Sequence, residues 1–308
     1  MLTVTPNAGL DRTYLVDQFA VDRVHRPYET RVMAGGKGVN VSRVLQTLGT
    51  ESVATGFLGG HTGLEVRERL IAEGIRDAFV TVEGESRLCL KILDTKARTQ
   101  TEVNEAGPVV TTEEQGAFRE RFGLLMNDVS TVALCGSLPP GVPPEFISDL
   151  VKLAKDRGVR TVVDTSGEAL RLALEEAPDI IKPNAFEVSE LLGREIETIG
   201  EAADAGREIL RLGVHLVAIT MGRCGAVIVD QSGAWFATPP EVEFRSAVGS
   251  GDAFVAAMIH VLQDGRLPAD ALRYATAAGA ANAASYGSGV VERHTVENLV
   301  PRVTVTPL

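Results

Sequence analysis

From Thr131 onward the sequence alternates short apolar runs with amphipathic segments, and this alternation limits the fold more than any other feature. TVALC (131–135) reads as a buried strand. PPEFISDLVKLAKDRG (143–158) reads as a helix that proline opens and glycine closes. RTVVD (160–164) is a strand, EALRLALEEA a helix, DIIKPN a short strand and AFEVSELLG the start of another helix. HLVAIT (215–220) is a strand after a third helix. Strands joined by helices in this way run parallel and need cover on both faces. The N-terminal part fits the same sheet: LTVT (2–5), then a helix over 38–49, SVATGF (52–57) and a helix over 63–74. The class is therefore α/β, and 308 residues with 44% apolar content suffice for one such domain over 1–308.

Two segments interrupt the pattern. Residues 11–33 lack a helical period and contain β-formers. Residues 86–104 read as a hairpin, RLCLKILD and RTQTEV around TKA, with apolar and polar residues alternating. Together they predict a small antiparallel sheet inserted into the larger one, a lid over a site; two edge hairpins of the main sheet are the plainer alternative.

Composition removes several function classes. Net charge is −11 and no basic cluster tracks along the chain, so a nucleic-acid partner is not expected. Cys89, Cys135 and Cys224 are odd in number and far apart, and there is no CxxC, which predicts reduced thiols in a cytoplasmic protein. No charged-plus-apolar leader and no long apolar run occurs, so neither export nor a membrane partner is expected. The five histidines lack zinc-site spacing.

The chemistry concentrates in glycine turns. In MAGGKGVN, Gly35, Gly36 and Gly38 permit close backbone approach, Lys37 adds a cation, and Asn40 falls in the first helical turn, where N–H groups attract anions; a tight loop before a packed helix is the alternative. Gly136-Ser137 follows a strand at its carboxyl end, where open α/β sheets bind ligands, so Ser137 is placed to hydrogen-bond a substrate or simply to turn the chain. In IIKPNAFE, Lys182, Asn184 and Glu187 follow a short strand. Asn184 and Glu187 suit Mg2+ held through water, and equally suit a helix capping box. In TMGRCGA, two glycines after a strand leave room for a nucleotide. In SAVGSGDAF, the N–H groups of Gly249, Ser250, Gly251 and Asp252 are expected to converge on a phosphoryl oxygen, with Asp252 beside them as general base or as a plain helix cap. Turns of this kind at strand-to-helix junctions of one parallel sheet open on one edge, which favours a phosphate-handling enzyme over a binding module.

AGGKGVNVSRVLQTLG and SAVGSGDAF, with KPNAFE between them, resemble the signatures of the PfkB (ribokinase-like) carbohydrate kinases, and the resemblance spans the full length. NAGLDRTYLV, GGKG with its lysine, GSLPPGVP and SGEAL look most like the branch that phosphorylates phosphosugars, the 1-phosphofructokinases and tagatose-6-phosphate kinases. The resemblance implies a ribokinase-like three-layer sandwich with a mostly parallel sheet and a β-sheet lid. It implies ATP and Mg2+ as cofactors, and Asp252 as the catalytic base with Gly249, Ser250 and Gly251 as its anion hole. Asp11, Gly36, Lys37, Gly38, Asn40, Arg87 and Ser137 look like substrate contacts, Lys37 and Arg87 being the cations for an existing phosphate. Lys182, Asn184, Thr220, Gly222, Gly225, Gly251 and Asn282 look like nucleotide contacts, and Glu187 with Asn184 like the Mg2+ group. The leading expectation is phosphorylation of fructose 1-phosphate. Tagatose-6-phosphate kinase, 6-phosphofructokinase and a catalytically inactive sugar-phosphate sensor are the alternatives. The chain departs from the branch pattern at Ala8, His25-Arg26, Cys89, Ala247 and Ser250. Apolar lid residues, Leu15, Val16, Phe19, Leu88, Leu90 and Ile92, predict a homodimer through the lid.

Overall fold

The computed structural model describes all 308 residues. From one edge to the other, the main sheet runs Thr304–Pro307, Gly233–Thr238, Ala226–Asp230, Leu216–Thr220, Ile180–Ile181, Arg160–Asp164, Thr131–Cys135, Leu2–Thr5, Val53–Gly59 and Arg76–Asp77. Val80–Val82 also pairs with Val53–Gly59. The pairs from Arg76–Asp77 through to Leu216–Thr220 are parallel. The last three strands on the other edge are antiparallel: short turns join Leu216–Thr220, Ala226–Asp230 and Gly233–Thr238, and Thr304–Pro307 returns to the edge after the C-terminal helices.

Side chains alternate across this sheet into two cores of nearly equal size, 35 and 32 buried residues, which makes the architecture three layers. Val132, Leu134, Val163 and Ile181 face the helices Glu145–Lys155, Gly167–Glu175 and Ile199–Leu210. Ala133, Cys135, Val162 and Ile180 face Lys37–Leu48, Ser250–Leu262 and Pro268–Ala283. The helix after SAVGSGDAF is apolar all round because it is central: Ala253 to Ile259 are all buried, against the sheet and its neighbouring helices.

The lid is a separate sheet of order Glu29–Gly35, Gly9–Val16, Arg87–Asp94, Thr99–Asn104. Its strands coincide with the two expected segments, starting and ending two residues outside the first. The expectation of an all-antiparallel sheet is corrected: the central pair, Gly9–Val16 with Arg87–Asp94, is parallel, with Asp11 opposite Cys89 and Thr13 opposite Lys91. These strands come from two separate excursions out of the main sheet that leave it in the same direction, so they meet in parallel. Each excursion supplies its own antiparallel edge.

The junctions are also corrected in part. The Gly136 and Pro183 turns do follow parallel strands. The GGKG turn instead leaves a lid strand, TMGRCGA joins two antiparallel strands through a short 3-10 turn, and GSGD follows a segment without regular structure over 239–249. No helix is long and apolar enough to cross a membrane.

Candidate active site

Two adjoining cavities open beside the carboxyl ends of the central strands, the first of them also lined by the lid. One, of about 450 Å³, is polar. Asp164, Lys182 and Thr220 line it from the strand ends, Lys37 and Asn40 from a helix start, and Asp11, Arg87 and Lys91 from the lid. The other, of about 220 Å³, is largely apolar and lies among Pro240, Val242, Phe244, Phe254 and Ala280, with Gly222 and Gly225 at one wall. Thr220 and Gly251 line both, so the cavities meet at the GSGD turn.

That turn is built around Gly249, which caps the helix at φ 81°. A side chain there would strike Ser288 and Gly289, so the left-handed turn and the close approach both require glycine. One part of the anion-hole expectation changes. The Ser250 N–H closes the turn on the Ala247 carbonyl at 3.1 Å, leaving Gly249, Gly251 and Asp252 as the N–H groups without a protein acceptor. Since a backbone carbonyl closes the turn, the missing hydroxyl at Ala247 does not disturb it.

Asp252 is buried, and its carboxylate accepts from Asn40 Nδ2 at 2.7 Å. Burial, then the nearby Asp164, push its pKa up to about 6, against the hydrogen bond from Asn40 and the charges of Lys37 and Lys182. The group is ionised at neutral pH and only mildly disfavoured as an anion, the state a general base needs.

The cations are held by carboxylates. Asp164 is fully buried and takes both Lys37, at 3.0 Å, and Lys182, at 3.2 Å. Burial would raise the Asp164 carboxyl, but the two ammonium groups outweigh it and hold the pKa low. Burial would likewise lower Lys37, and Asp164, Asp252 and Glu187 overcome this to raise it. Lys91 is buried in the lid and donates to Asp11 at 2.5 Å and to Ser288 Oγ at 2.8 Å. Arg87 gives its Nε to the Asn7 carbonyl at 2.9 Å and lines the polar cavity.

Free backbone N–H groups thus stand where an apolar slot meets a cation-rich cavity, with a buried carboxylate beside them. Residues 8–294 match the pfkB family carbohydrate kinase family. The chain belongs to that family.

Among relatives of this pfkB protein, a 1-phosphofructokinase of Rhodobacter capsulatus is 39% identical over 279 residues, covering 89% of this chain and 87% of that one. A tagatose-6-phosphate kinase of Staphylococcus epidermidis is 32% identical over 308 residues, covering 99% of each. Phosphofructokinase-2 from Escherichia coli in complex with substrates and products superposes with a TM-score of 0.92 at 29% identity, covering 98% of each chain. Its tetrameric inhibited form gives 0.90 at 28%. The fold is thus ribokinase-like, and the protein is a phosphotransferase with an alcohol group as acceptor.

Measured against the pfkB expectations, Asp11, Gly36, Lys37, Asn40, Arg87, Lys182, Asn184, Gly249, Gly251 and Asp252 all come to the polar cavity, and Thr220, Gly222, Gly225 and Ser250 to the apolar one. Four residues do not line either cavity as expected. Glu187 lies instead at a separate surface cavity with Gly167, Glu168 and Arg171. Gly38 is buried against Thr5 and Val4, where its missing Cβ lets the helix approach the Leu2–Thr5 strand. Ser137 is exposed and sits 3.4 Å from Asn7, outside the polar lining. Asn282, expected near the adenine, is wholly buried: it donates to the Val248 carbonyl at 2.7 Å and to Ser250 Oγ at 3.1 Å, and so props the GSGD turn from behind.

Asn184 and Glu187 form a full capping box, Asn184 Oδ1 accepting from the Glu187 N–H at 2.9 Å and Glu187 Oε2 from the Asn184 N–H at 2.8 Å. Sequence reasoning missed Asp164, Lys91 and Ser288. The first two carried a signal: Asp164 ends a parallel strand, and Lys91 shares a strand face with Cys89, two residues before it; Ser288 carried none.

Proposed function

We propose that the protein transfers the γ-phosphoryl group of ATP to a ketohexose phosphate, with fructose 1-phosphate as preferred acceptor and its 6-hydroxyl as the nucleophile. The observation that carries this is the meeting of the two cavities at Gly251, beside Asp252. The apolar slot suits a purine base, and the polar cavity suits a phosphorylated sugar. The sugar hydroxyl attacks the γ-phosphorus while Asp252 takes its proton, and ADP leaves. The free N–H groups of Gly249, Gly251 and Asp252 face the charge that develops on the phosphoryl oxygens.

Roles divide by position. Lys37 and Lys182, fixed by Asp164 next to Asp252, serve the transferring phosphoryl group. Arg87, at the lid end, serves the phosphate already on the sugar. Asp11, ordered by Lys91 and Ser288, serves the sugar hydroxyls. Cys89, buried on the inner lid face, helps wall the ring. No cluster of three acidic, His or Cys side chains that could hold a metal ion occurs. Mg2+ would be held through water by Asn184, which lines the polar cavity, and by the Glu187 oxygen that the capping box leaves free, a carboxylate whose charge reaches Lys37. When bound, the ion neutralises triphosphate charge.

Tagatose 6-phosphate is the second acceptor reading, because the tagatose-6-phosphate kinase relative covers the whole chain. The catalytically inactive sensor is less supported, since the Asp252 carboxylate, the Asn40 amide that donates to it and the free N–H groups of the GSGD turn lie together. Initial rates with ATP and Mg2+ over fructose 1-phosphate, fructose 6-phosphate, tagatose 6-phosphate and unphosphorylated sugars decide among these. The highest kcat/KM is expected for fructose 1-phosphate; activity confined to unphosphorylated sugars would overturn the reading. Three unpaired thiols, two of them buried, favour a reducing, cytoplasmic setting.

A homodimer through the lid is proposed on narrower grounds than the sequence implied. Leu15 and Val16 are already buried within one chain. What supports pairing is the outer lid face, where half-buried Tyr14, Leu90 and Ile92 adjoin Val103, 58% exposed, and Arg12 Nε is buried without a partner.

A further inference from the structure

Arg43 reaches neither cavity, yet it is tied to the catalytic carboxylate through one side chain. It sits on the Lys37–Leu48 helix, one turn past Asn40, and is 9% exposed. Its Nη1 donates to Asn40 Oδ1 at 2.8 Å and to the Ser288 carbonyl at 2.8 Å. Its Nη2 donates to the Ala34 carbonyl at 2.6 Å, and its Nε to Glu73 at 2.6 Å. Asn40 in turn gives its Nδ2 to Asp252 at 2.7 Å.

An asparagine side chain has one face that accepts and one that donates, nearly identical in shape. Turned one way, Asn40 stabilises the Asp252 carboxylate; turned the other, it sets a carbonyl oxygen against it. A guanidinium only donates, so it accepts one of the two orientations.

We propose that Arg43 is a positioning residue for catalysis: by fixing the Asn40 amide, it keeps a hydrogen-bond donor aimed at Asp252 and so keeps that carboxylate available as a base at neutral pH. The inference rests on the reading of Asp252 as the base. The other charges facing Asp252 are Asp164 from its strand end, Lys182 beyond the next strand and Lys37 from the first helical turn. From the lid, Asp11, Arg87, Lys91 and Glu102 line the same cavity. Burial and Asp164 already push the Asp252 proton affinity up, and the Asn40 bond is the largest opposing influence. Losing the donor removes that opposition.

The test is the pH dependence of kcat, with saturating ATP, Mg2+ and sugar phosphate, for wild type, Arg43→Met and Glu73→Gln. The wild-type rate should fall on an acidic limb near pH 6. In Arg43→Met the limb should move up by about one unit, since a hydrogen bond to a charged group is worth roughly tenfold in proton affinity. The loss then approaches tenfold near pH 5.5 and shrinks above pH 8. Glu73→Gln removes the ion pair but leaves the guanidinium on Asn40, and should leave the limb in place. In an Asn40→Ala background, Arg43→Met should move the limb no further. Should Arg43→Met fail to fold, Arg43→Gln serves: its amide presents either an oxygen or an NH2 group to Asn40, so the lock is lost and the same shift is expected. A limb that stays near pH 6, with kcat lowered equally at every pH, would overturn the proposal. Failure of the underlying reading looks different: Asp252→Asn would then keep its turnover.

Discussion

Asp164 and Asn40 act on Asp252 with opposite sign, one by its charge and the other by its hydrogen bond. Replacing Asp164 by asparagine should therefore move the acidic limb of kcat to lower pH, the reverse of the Arg43 variants, and a pH–rate profile reads both. The same change leaves the Lys182 ammonium buried without a partner and should destabilise the fold by about 3 kcal/mol, seen as a lower denaturant midpoint. Individual residues were legible in the sequence only where a local pattern marked them. The GSGD turn and the N-x-x-E spacing were such patterns, and for Asn184 and Glu187 the capping alternative is realised in full. Asp164, Lys91 and Arg43 were not marked, because each becomes informative only through partners on other elements or, for Arg43, through what its neighbour Asn40 touches.

At the level of elements, the alternation of strands and helices was readable because both periods are written in apolar spacing. The pairing partner of a lid strand was not: an alternating strand shows which side chains share a face, not whether its neighbour runs up or down. The lid closes on the GSGD approach through Ser246 Oγ, which donates to Gln100 at 3.1 Å, and through Arg31, which donates to the Tyr286 carbonyl at 2.9 Å. If the outer lid face pairs with a second copy, Val103→Glu should lower the mass measured by light scattering towards that of one chain. The fold of the single chain, read by far-UV circular dichroism, should be unchanged, because within one chain this position is open to water. An unchanged mass in that variant would place any interface elsewhere.

For the whole molecule, the role proposed for Asp252 sets catalysis against stability at one carboxyl group. Asp252 binds its proton at about 6 in the fold, against an ordinary value of 3.8. A carboxyl group raised in this way favours the folded state when protonated and opposes it when ionised. The penalty is therefore full above pH 6 and fades as pH falls through 6 towards 3.8. Asp252→Asn should accordingly melt at a higher temperature than wild type at pH 8, a gain that narrows at pH 5. The class of reaction was legible because the glycine turns and their order survive in the sequence, whereas the join between two cavities exists only once the lid, the strand ends and the 239–249 segment converge. The central claim is that Asp252 takes the proton of the attacking hydroxyl at that join. Steady-state turnover of Asp252→Asn with ATP, Mg2+ and fructose 1-phosphate, at pH 8 on folded protein, tests it most directly. The account predicts a fall in kcat of about 10³-fold or more with nucleotide binding retained; a rate near that of the wild type would contradict it.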